Sequence, residues 1–334
     1  MPPSQEPLLQ VDDLRAYSGS ADRPVRAVDG VSLTVRAGQT VALVGESGCG
    51  KSATALALTR LLPQPPAFYA GGSIRWCGRE VLTLPDRELR QLRGREIAYI
   101  FQEPASSLNP VFRVGDQIME SIRLHRPGTD PRPEALRLLG LVGIPEPVRK
   151  FTAYPHELSG GLQQRVMIAM GLAGQPKLLI ADEPTTALDV TIQQQMLDLL
   201  RRLQTELGMA ILLITHNLGL VAEAAHQVHV MYAGRMVESG PVEQILRRPA
   251  HPYTRALLRA VPRLEGPARD LEGIEGRVPR LSDLPAGCAF HPRCPLAQAR
   301  CRAEAPGWTE RPAGVAVRCH FPLEAAARAE PAHA

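Results

Sequence analysis

Short apolar runs alternate with helix-period stretches through most of the 334-residue chain. Four runs have the length and flanks of buried parallel strands, namely TVALVG (40–45), REIAYIF (95–101), LLIAD (178–182) and AILLIT (210–215). Amphipathic patterns predict helices after three of them, from Lys51 to Leu62, from Val190 to Leu207 and from Leu218 to Ala225. This alternation of strand and helix is typical of an α/β fold with a parallel core sheet.

Other segments surround this predicted core. LLQVDDLRAY with VRAVDGVSLTV, and HQVHVMYAG with RMVESG, are typical of two antiparallel strand pairs. Residues 110–175 have mostly helical patterns, whereas prolines become frequent and periodicity fades after Arg248. We therefore predict a large domain over residues 1–246 and a C-terminal extension over residues 247–334.

Composition narrows the class of protein. The chain is 44% hydrophobic, enough for one large core and a smaller unit, and no window approaches eighteen uninterrupted apolar residues. The first residues, MPPSQEPLLQ, lack the basic start and apolar stretch of a secretory signal, so we expect a soluble chain in a reducing cytosol. From Arg247 onward, fourteen Arg oppose nine Asp and Glu, which indicates a solvated basic surface or a tail that binds polyanions.

The strand TVALVG leads into GESGCGKS, which fits the phosphate-binding pattern G-x-x-x-x-G-K-[ST] between a strand and a helix. The glycines let backbone N–H groups face phosphate oxygens, and the next helix adds its positive N-terminal end. We expect Lys51 to neutralise the outer phosphates and Ser52 to bind Mg²⁺, while Cys49 fills space without a redox role. The residues expected to contact a nucleoside triphosphate are Gly45, Ser47, Gly48, Cys49, Gly50, Lys51, Ser52 and Ala53.

Acidic residues follow a second predicted strand in LLIADEP. Asp182 ends the strand, where a carboxylate can order Mg²⁺, and Glu183 is placed to act as general base on an attacking water. A third strand ends in Thr215-His216 at the same edge of the sheet, where an imidazole can donate to a γ-phosphate. These residues predict hydrolysis of the triphosphate.

LSGGLQQR (158–165) opens another helix and offers a second cradle for an anion. Here the chain resembles the ATP-binding cassette (ABC) family, whose signature is LSGGQ-like and whose two copies bind ATP in a head-to-tail dimer. The resemblance implies a mixed core sheet, an antiparallel β subdomain and a helical signature subdomain. It also implies that the second cradle, Ser159, Gly160 and Gly161, serves the nucleotide of the partner. Leu162 stands where many cassettes have Gln, with Gln163 next.

The same resemblance assigns further roles. Tyr17 matches the aromatic residue that stacks on adenine, and Gln102 in FQEP matches the glutamine that touches Mg²⁺ and senses the membrane subunits. Asp189 in TALD matches the loop that crosses the dimer, and His216 matches the switch histidine. The catalytic residues implied by the resemblance are Glu183, His216 and Gln102, and the Mg²⁺ ligands are Ser52, Gln102 and Asp182.

Three longer stretches narrow the resemblance to the dipeptide, oligopeptide and nickel importer branch of the family. They are RGREIAYIFQEPASSLNPVFRVG (93–115), YPHELSGGLQQRVMIAM (154–170) and RRPAHPYTRALL (247–258). This implies an ATP-driven motor subunit, peripheral at the cytoplasmic face of the cell membrane, that works with two permease subunits. A heterodimer with a related cassette is favoured over a homodimer, and an extracytoplasmic binding protein is implied to select the cargo.

Four of the six cysteines fall in the C-terminal extension: Cys288, Cys294, Cys301 and Cys319. Disulfides, a metal site and chance compete as explanations, and a reducing cytosol favours metal. The spacing lacks the two-residue knuckle of many zinc sites, yet four thiolates suit zinc and iron–sulfur alike. The resemblance favours a [4Fe–4S] cluster over Zn²⁺, with His291 and His320 as reserve ligands, acting as a staple for a small domain.

Two other functions compete with the transporter interpretation. A zinc-bearing, nucleic-acid-binding tail on a soluble ABC-type ATPase would explain the basic, cysteine-containing extension. Such proteins usually carry long coiled coils or two cassettes in one chain, and this sequence has one cassette and no sustained heptads, so we expect no nucleic-acid partner. A phosphate-loop kinase of small molecules would leave LSGGLQQR unexplained.

Overall fold

The computed structural model describes residues 6–20, 22–185, 189–260 and 273–324. The strands in chain order are β1 (Leu9–Ser18), β2 (Val25–Val35), β3 (Thr40–Val44), β4 (Ala67–Trp76), β5 (Arg79–Glu80), β6 (Ile97–Ile100), β7 (Leu178–Asp182), β8 (Ala210–Thr215), β9 (Gln227–Tyr232), β10 (Arg235–Pro241), β11 (Thr309–Arg311) and β12 (Val315–Val317). They form two sheets. A four-stranded antiparallel sheet has the order β2-β1-β4-β5, and an eight-stranded sheet has the order β11-β12-β10-β9-β3-β8-β7-β6.

The centre of the larger sheet is parallel. Strand β3 lies between β8 and β9, and β7 lies between β8 and β6, all in parallel register. Every residue of β3, β7 and β8 is buried, which explains why these strands read as continuous apolar runs. The four predicted parallel strands and both predicted antiparallel pairs are confirmed, and β4, β5, β11 and β12 are additional strands.

Helices in chain order are α1 (Lys51–Leu58), α2 (Asp86–Leu92), α3 (Pro104–Ser107), α4 (Val114–His125), α5 (Pro131–Leu141), α6 (Pro147–Phe151), α7 (Gly160–Leu172), α8 (Val190–Leu207), α9 (Leu218–Ala224), α10 (Val242–Arg247), α11 (Pro252–Arg259) and α12 (Ala299–Ala303). The helical insert predicted over residues 110–175 contains α4 to α7. Helix α1 ends four residues before its predicted end, because Arg60 takes a left-handed backbone (φ 54°) and Pro63 follows.

Three groups of buried apolar side chains hold these layers together. The first joins the helical insert to the sheet and includes Ile118, Leu139, Val166 and Leu200. The second fills the space between the two sheets and includes Leu14, Val31, Leu43 and Leu212. The third joins β9 and β10 to the C-terminal extension and includes Val228, Tyr253, Phe290 and Val317.

The C-terminal extension adds to the edge of the larger sheet. Strand β12 pairs antiparallel with β10, placing Glu238 opposite Val317, and β11 pairs with β12. The extension therefore shares a sheet and a core with the residues before 246, and the division at that residue stays a prediction. Among the described helices, none is long and apolar enough to cross a membrane.

Candidate nucleotide-binding site

The loop between β3 and α1 passes close to two other strands. Gly45 has φ 154° and Gly50 has φ 110°, both in the region that favours glycine. A Cβ atom on Gly45 would collide with the backbone carbonyl of Met231, and one on Gly50 would collide with that of Ala27. Glycine is required at these positions because β9 and β2 approach the loop backbone.

Lys51 is the first residue of α1 and is 5% exposed. Its Nζ donates to the carbonyl oxygens of Gly45 and Glu46, at 2.8 and 3.1 Å, so the ammonium group lies inside the curve of the loop. Cys49 is fully buried, and burial raises the pKa of its thiol. These positions agree with a cation inside the loop and a space-filling cysteine.

Asp182 ends β7 beside this loop and is 8% exposed. Burial raises the pKa of its carboxyl, a hydrogen bond from Ser52 opposes that rise, and the neighbouring Glu183 adds to it. Within the described residues, Oδ1 of Asp182 is buried and has no hydrogen-bond partner. A buried carboxylate oxygen with unused acceptor capacity, next to a hydroxyl, fits the oxygen ligands that Mg²⁺ requires.

Three residues from different strand ends meet at Glu183. Nε2 of Gln102 donates to Oε2 of Glu183 at 3.1 Å, and Nδ1 of His216 lies 3.1 Å from Oε1. The Glu183 backbone is left-handed (φ 46°), a conformation that costs about 1–3 kcal/mol in a residue other than glycine. Its N–H donates to Ile214 of the adjacent strand, so the strained turn is held in place. The three predicted catalytic residues are thus in direct contact.

Tyr17 lies on β1, in the antiparallel sheet. Its hydroxyl donates to Oδ1 of Asp29 at 2.7 Å, and burial together with this bond raises the pKa of Tyr17 to about 12. The Arg26 guanidinium lies 5.9 Å from the centre of the ring. The expected stacking of Tyr17 on adenine stays a prediction.

The signature residues lie apart from this group of contacts. Ser159 is the N-cap of α7, makes no side-chain cap hydrogen bond, and is exposed together with Gly160. Gln163 donates to the carbonyl oxygens of Pro155 and Leu158, which holds the turn before the helix. Asp189 caps α8 by accepting from the Ile192 N–H at 2.9 Å, a local role that sequence reasoning missed.

Comparison with known proteins places the chain in a family. Residues 28–186 match the family described as ABC transporter, and residues 237–301 match the family described as oligopeptide/dipeptide transporter, C-terminal region. The dipeptide transport ATP-binding protein DppD of Escherichia coli strain K12 is 49% identical over 323 residues, or 96% of this chain and 98% of that protein. DppD of Haemophilus influenzae is 49% identical over 319 residues, or 95% of this chain and 96% of that protein.

The chain belongs to the ABC transporter family. A solved dimer of the ATP-binding cassette MJ0796, in a post-hydrolysis state with ADP and Pi, has a TM-score of 0.62 at 25% identity and covers 70% of this chain and 98% of that one. CbiO1 of Clostridium perfringens, part of the ABC transporter complex cbiONQ, has a TM-score of 0.61 at 26% identity and covers 72% of this chain and 90% of that one. The resemblance seen in the motifs is confirmed, and the chain is an ATP-hydrolysing subunit.

The phosphate-binding loop also contacts residues that were not predicted from the sequence. Glu46 forms a paired ion contact with Arg293, with N–O distances of 2.7 and 3.0 Å, and its N–H donates to the Tyr253 hydroxyl at 2.9 Å. The one available signal was an acidic residue inside a loop expected to receive phosphates, because such a charge calls for a partner.

The four cysteines of the C-terminal extension line one pocket, together with His251, His291, His320 and four apolar residues including Phe290. All four are free thiols. Burial raises the pKa of Cys288, Cys294 and Cys319, the last to about 11, and the neighbouring thiols contribute. In the part of the chain that the structure describes, no group of three or more His, Cys, Asp or Glu residues is arranged to hold a metal ion. The expected metal site has no support from ligand geometry.

Proposed function

We propose that this ABC subunit is the motor of an importer that takes up dipeptides or oligopeptides through separate membrane permeases. The observation that carries the chemical part is the contact of Glu183 with Gln102 and His216, beside Asp182 and the phosphate-binding loop. The transported class is supported by the names of the relatives and by the match of residues 237–301 to the transporter C-terminal region.

In this proposal, the phosphates of ATP lie against the backbone of Gly45 and of residues 47–53 and against the ammonium of Lys51. The Glu46 N–H is not part of this cradle, because it donates to the Tyr253 hydroxyl. Ser52, Asp182 and Gln102 would hold Mg²⁺, which neutralises charge on the phosphates when bound. The unused oxygen of Asp182 supports this assignment. The adenine would stack on Tyr17.

Glu183 is the proposed general base. A water attacks the γ-phosphorus, the bond from that phosphorus to the bridging oxygen breaks, and ADP and phosphate result, while a water proton passes to the Glu183 carboxylate. Gln102 and His216 contact opposite oxygens of that carboxylate, so they fix its orientation. His216 shares its N–H with Glu183 here; release of that N–H when ATP binds would let it donate to the γ-phosphate.

Dimerisation would complete the site. Ser159, Gly160 and Gly161 at the exposed start of α7, with Asp189 at the start of α8, would contact the nucleotide and loop of a second cassette. The dimer in the MJ0796 structure supports this arrangement. We favour a related but different cassette as the partner, since the 93–115 segment resembles one of two subunit types.

The permease contact is proposed near Gln102. Phe101, Val111 and Phe112 are large apolar side chains that are 44%, 73% and 54% exposed. Phe101 directly precedes Gln102 in the sequence, and Gln102 contacts Glu183, so a change at the nucleotide could reach a membrane partner bound at Phe101. The subunit would then be peripheral, at the cytoplasmic face, with an extracytoplasmic binding protein selecting the cargo.

For the extension, residues 247–334, we propose a [4Fe–4S] cluster held by Cys288, Cys294, Cys301 and Cys319. The support is their shared pocket and the orientation of His251, whose Nδ1 accepts from the Tyr253 N–H, so that the proton lies on Nε2. That Nε2 is buried without a partner among the described residues, and it lines the same pocket. A sulfur atom of the cluster or its ligands would be its acceptor.

The cluster is tested by anaerobic purification and metal analysis. About four irons per chain, with brown colour lost in Cys294→Ser, is the expected result. One zinc and no iron per chain would contradict the cluster and indicate a structural zinc site. Four unmodified thiols in an active protein would exclude both metals.

The transport function is tested in cells that depend on the complex. Co-purification of the chain from its native membrane should yield two permease subunits and a second cassette. Glu183→Gln should abolish uptake of labelled dipeptide while leaving nickel uptake unchanged. Loss of nickel uptake with normal dipeptide uptake would overturn the peptide assignment, and recovery with nucleic acid in place of membrane subunits would overturn the importer.

A further inference from the structure

The phosphate-binding loop contains a carboxylate, Glu46, at a place where negative phosphates are expected. An unpaired carboxylate there would repel the nucleotide, because like charges at short range oppose binding. Glu46 is paired instead. Both of its oxygens accept from the guanidinium of Arg293, which lies 247 residues later in the C-terminal extension.

Arg293 is held as a rigid fork. Its side chain is 4% exposed, and its remaining donors are taken up by the carbonyl oxygens of Glu275 and Ile274 and by the Tyr232 hydroxyl. Burial lowers its pKa, but the hydrogen bonds from Arg293 to Glu46 and Tyr232 outweigh that effect and raise the pKa overall. The cation that faces the loop is therefore fixed in place.

A second residue of the extension anchors the backbone of the same loop position. The Glu46 N–H donates to the hydroxyl of Tyr253, at 2.9 Å, and Tyr253 is fully buried. Its ring packs on Tyr232 and Phe290, with ring centres 4.6 and 5.3 Å away. Tyr253 belongs to the HPYT stretch and Arg293 to the HPRC stretch, so two motifs of the extension converge on one residue.

Glu46 in turn contacts the lysine of the loop. Its carbonyl oxygen accepts from Nζ of Lys51 at 3.1 Å, and the Cys49 N–H donates to the same oxygen at 3.3 Å. The N–H and the carboxylate of Glu46 are thus fixed by the extension, while its carbonyl faces the cation that is to meet the phosphates.

We propose that Arg293 and Tyr253 are positioning residues for nucleotide binding. Arg293 neutralises the carboxylate of Glu46, and both residues hold the loop in the shape that receives phosphate. The extension is then part of the ATP site, and its integrity sets the affinity of the cassette for nucleotide. This inference rests on the proposed nucleotide site.

The test is MgATP binding by calorimetry and steady-state hydrolysis, on the full chain, for Arg293→Met and for the double variant Arg293→Met/Glu46→Gln. The single variant should weaken MgATP binding about tenfold and raise KM more than it lowers kcat, since it leaves one uncompensated negative charge beside the phosphates. The double variant removes that charge and should bind within about threefold of wild type.

Arg137→Met is the matched control. Arg137 also makes a two-bond contact to a glutamate, Glu134, but on α5 of the helical insert. Its loss should leave the MgATP affinity unchanged. A merely structural role for Arg293 would lower the melting temperature without changing KM, and the second substitution would then restore nothing.

An Arg293→Met protein that binds MgATP like wild type, or a double variant as weak as the single one, would overturn the proposal. If Arg293→Met does not fold, as judged by circular dichroism, Tyr253→Phe decides. It removes the hydroxyl that accepts from the Glu46 N–H and also contacts the Glu46 side chain, so it should raise KM for ATP about fivefold, whereas an unchanged KM overturns the proposal. Failure of the wild-type chain to bind MgATP would instead overturn the proposed nucleotide site.

Discussion

The loop before α1 and the turn before α7 are both helix starts that can hold an anion, yet their surroundings differ. Gly45 and Gly50 of the loop approach the backbone of Met231 and Ala27 closely. Glu46 of the loop contacts Arg293 and Tyr253 from the far end of the chain. At the α7 turn, by contrast, Ser159 and Gly160 are exposed and the Ser159 side chain makes no cap hydrogen bond. In the proposed dimer, the loop is held in shape by its own chain, whereas the α7 turn is left for the second chain to contact.

The largest expected effect comes from a substitution of Glu183, the proposed catalytic carboxylate. Glu183→Gln keeps the shape of the group that Gln102 and His216 contact but removes its ability to accept a proton. We expect a loss in kcat of about a thousandfold with ATP still bound, because general-base catalysis contributes about 10²–10⁴. Single-turnover experiments measure the rate of hydrolysis. Gel filtration then shows whether the variant retains nucleotide and stays dimeric. Hydrolysis at the wild-type rate would remove Glu183 from the mechanism.

Lys51→Ala changes the phosphate-binding loop before α1. The ammonium makes charge-assisted contacts worth about 1.5–3 kcal/mol, so MgATP affinity should fall about tenfold to a hundredfold. Calorimetry on the isolated chain measures this directly. Near-normal affinity would contradict the assignment of the loop as the phosphate site.

Ser159→Arg changes the turn before α7. It should distinguish the role of this turn from that of the phosphate-binding loop. Affinity of the isolated monomer for ATP should stay within about twofold of wild type, since in the proposed dimer Ser159 contacts the nucleotide of the other cassette. ATP-driven dimerisation with Glu183→Gln protein should be lost, as measured by light scattering. Weaker ATP binding by the monomer would instead show that the turn contacts the nucleotide of its own chain.

Acid should lower the stability of the protein through His229 and His251, which lie on β9 and in the extension, the two parts of the chain that contact the loop. Burial lowers the pKa of His229 to about 4 and that of His251 to about 3. Because the unfolded chain takes up these protons near pH 6.5, stability should fall as the pH drops from about 6.5 toward about 4, by up to about 1.4 kcal/mol per pH unit for each histidine.

The check is a set of melting curves between pH 7 and pH 5, with His251→Gln as the comparison. Burial raises the pKa of Glu238, which acts in the opposite direction, so the substitution is needed to isolate the histidine. The variant should lose part of the acid dependence. An identical pH slope in both proteins would show that His251 does not titrate on unfolding.

Much of the fold was predictable because its signals are local. Apolar runs of four to seven residues mark β3, β6, β7 and β8, and the loop motif lies between one such strand and a helix. Strands β4 and β5 were not predicted, since their pattern is broken by Gly71 and Gly72 and by exposed residues. Exposed or glycine-rich strands depend on their partners for pairing.

The chemistry of the proposed ATP site is predictable from short motifs, because their residue types suit phosphate, Mg²⁺ and proton transfer. The contacts of Glu183 with Gln102 and His216 appear only in the folded chain, since the three residues follow three different strands. The tertiary structure alone joined Glu46 to Arg293 and added β12 to the edge of the sheet. Such contacts depend on how distant segments pack, and no local pattern of side chains encodes which distant segment will lie beside it.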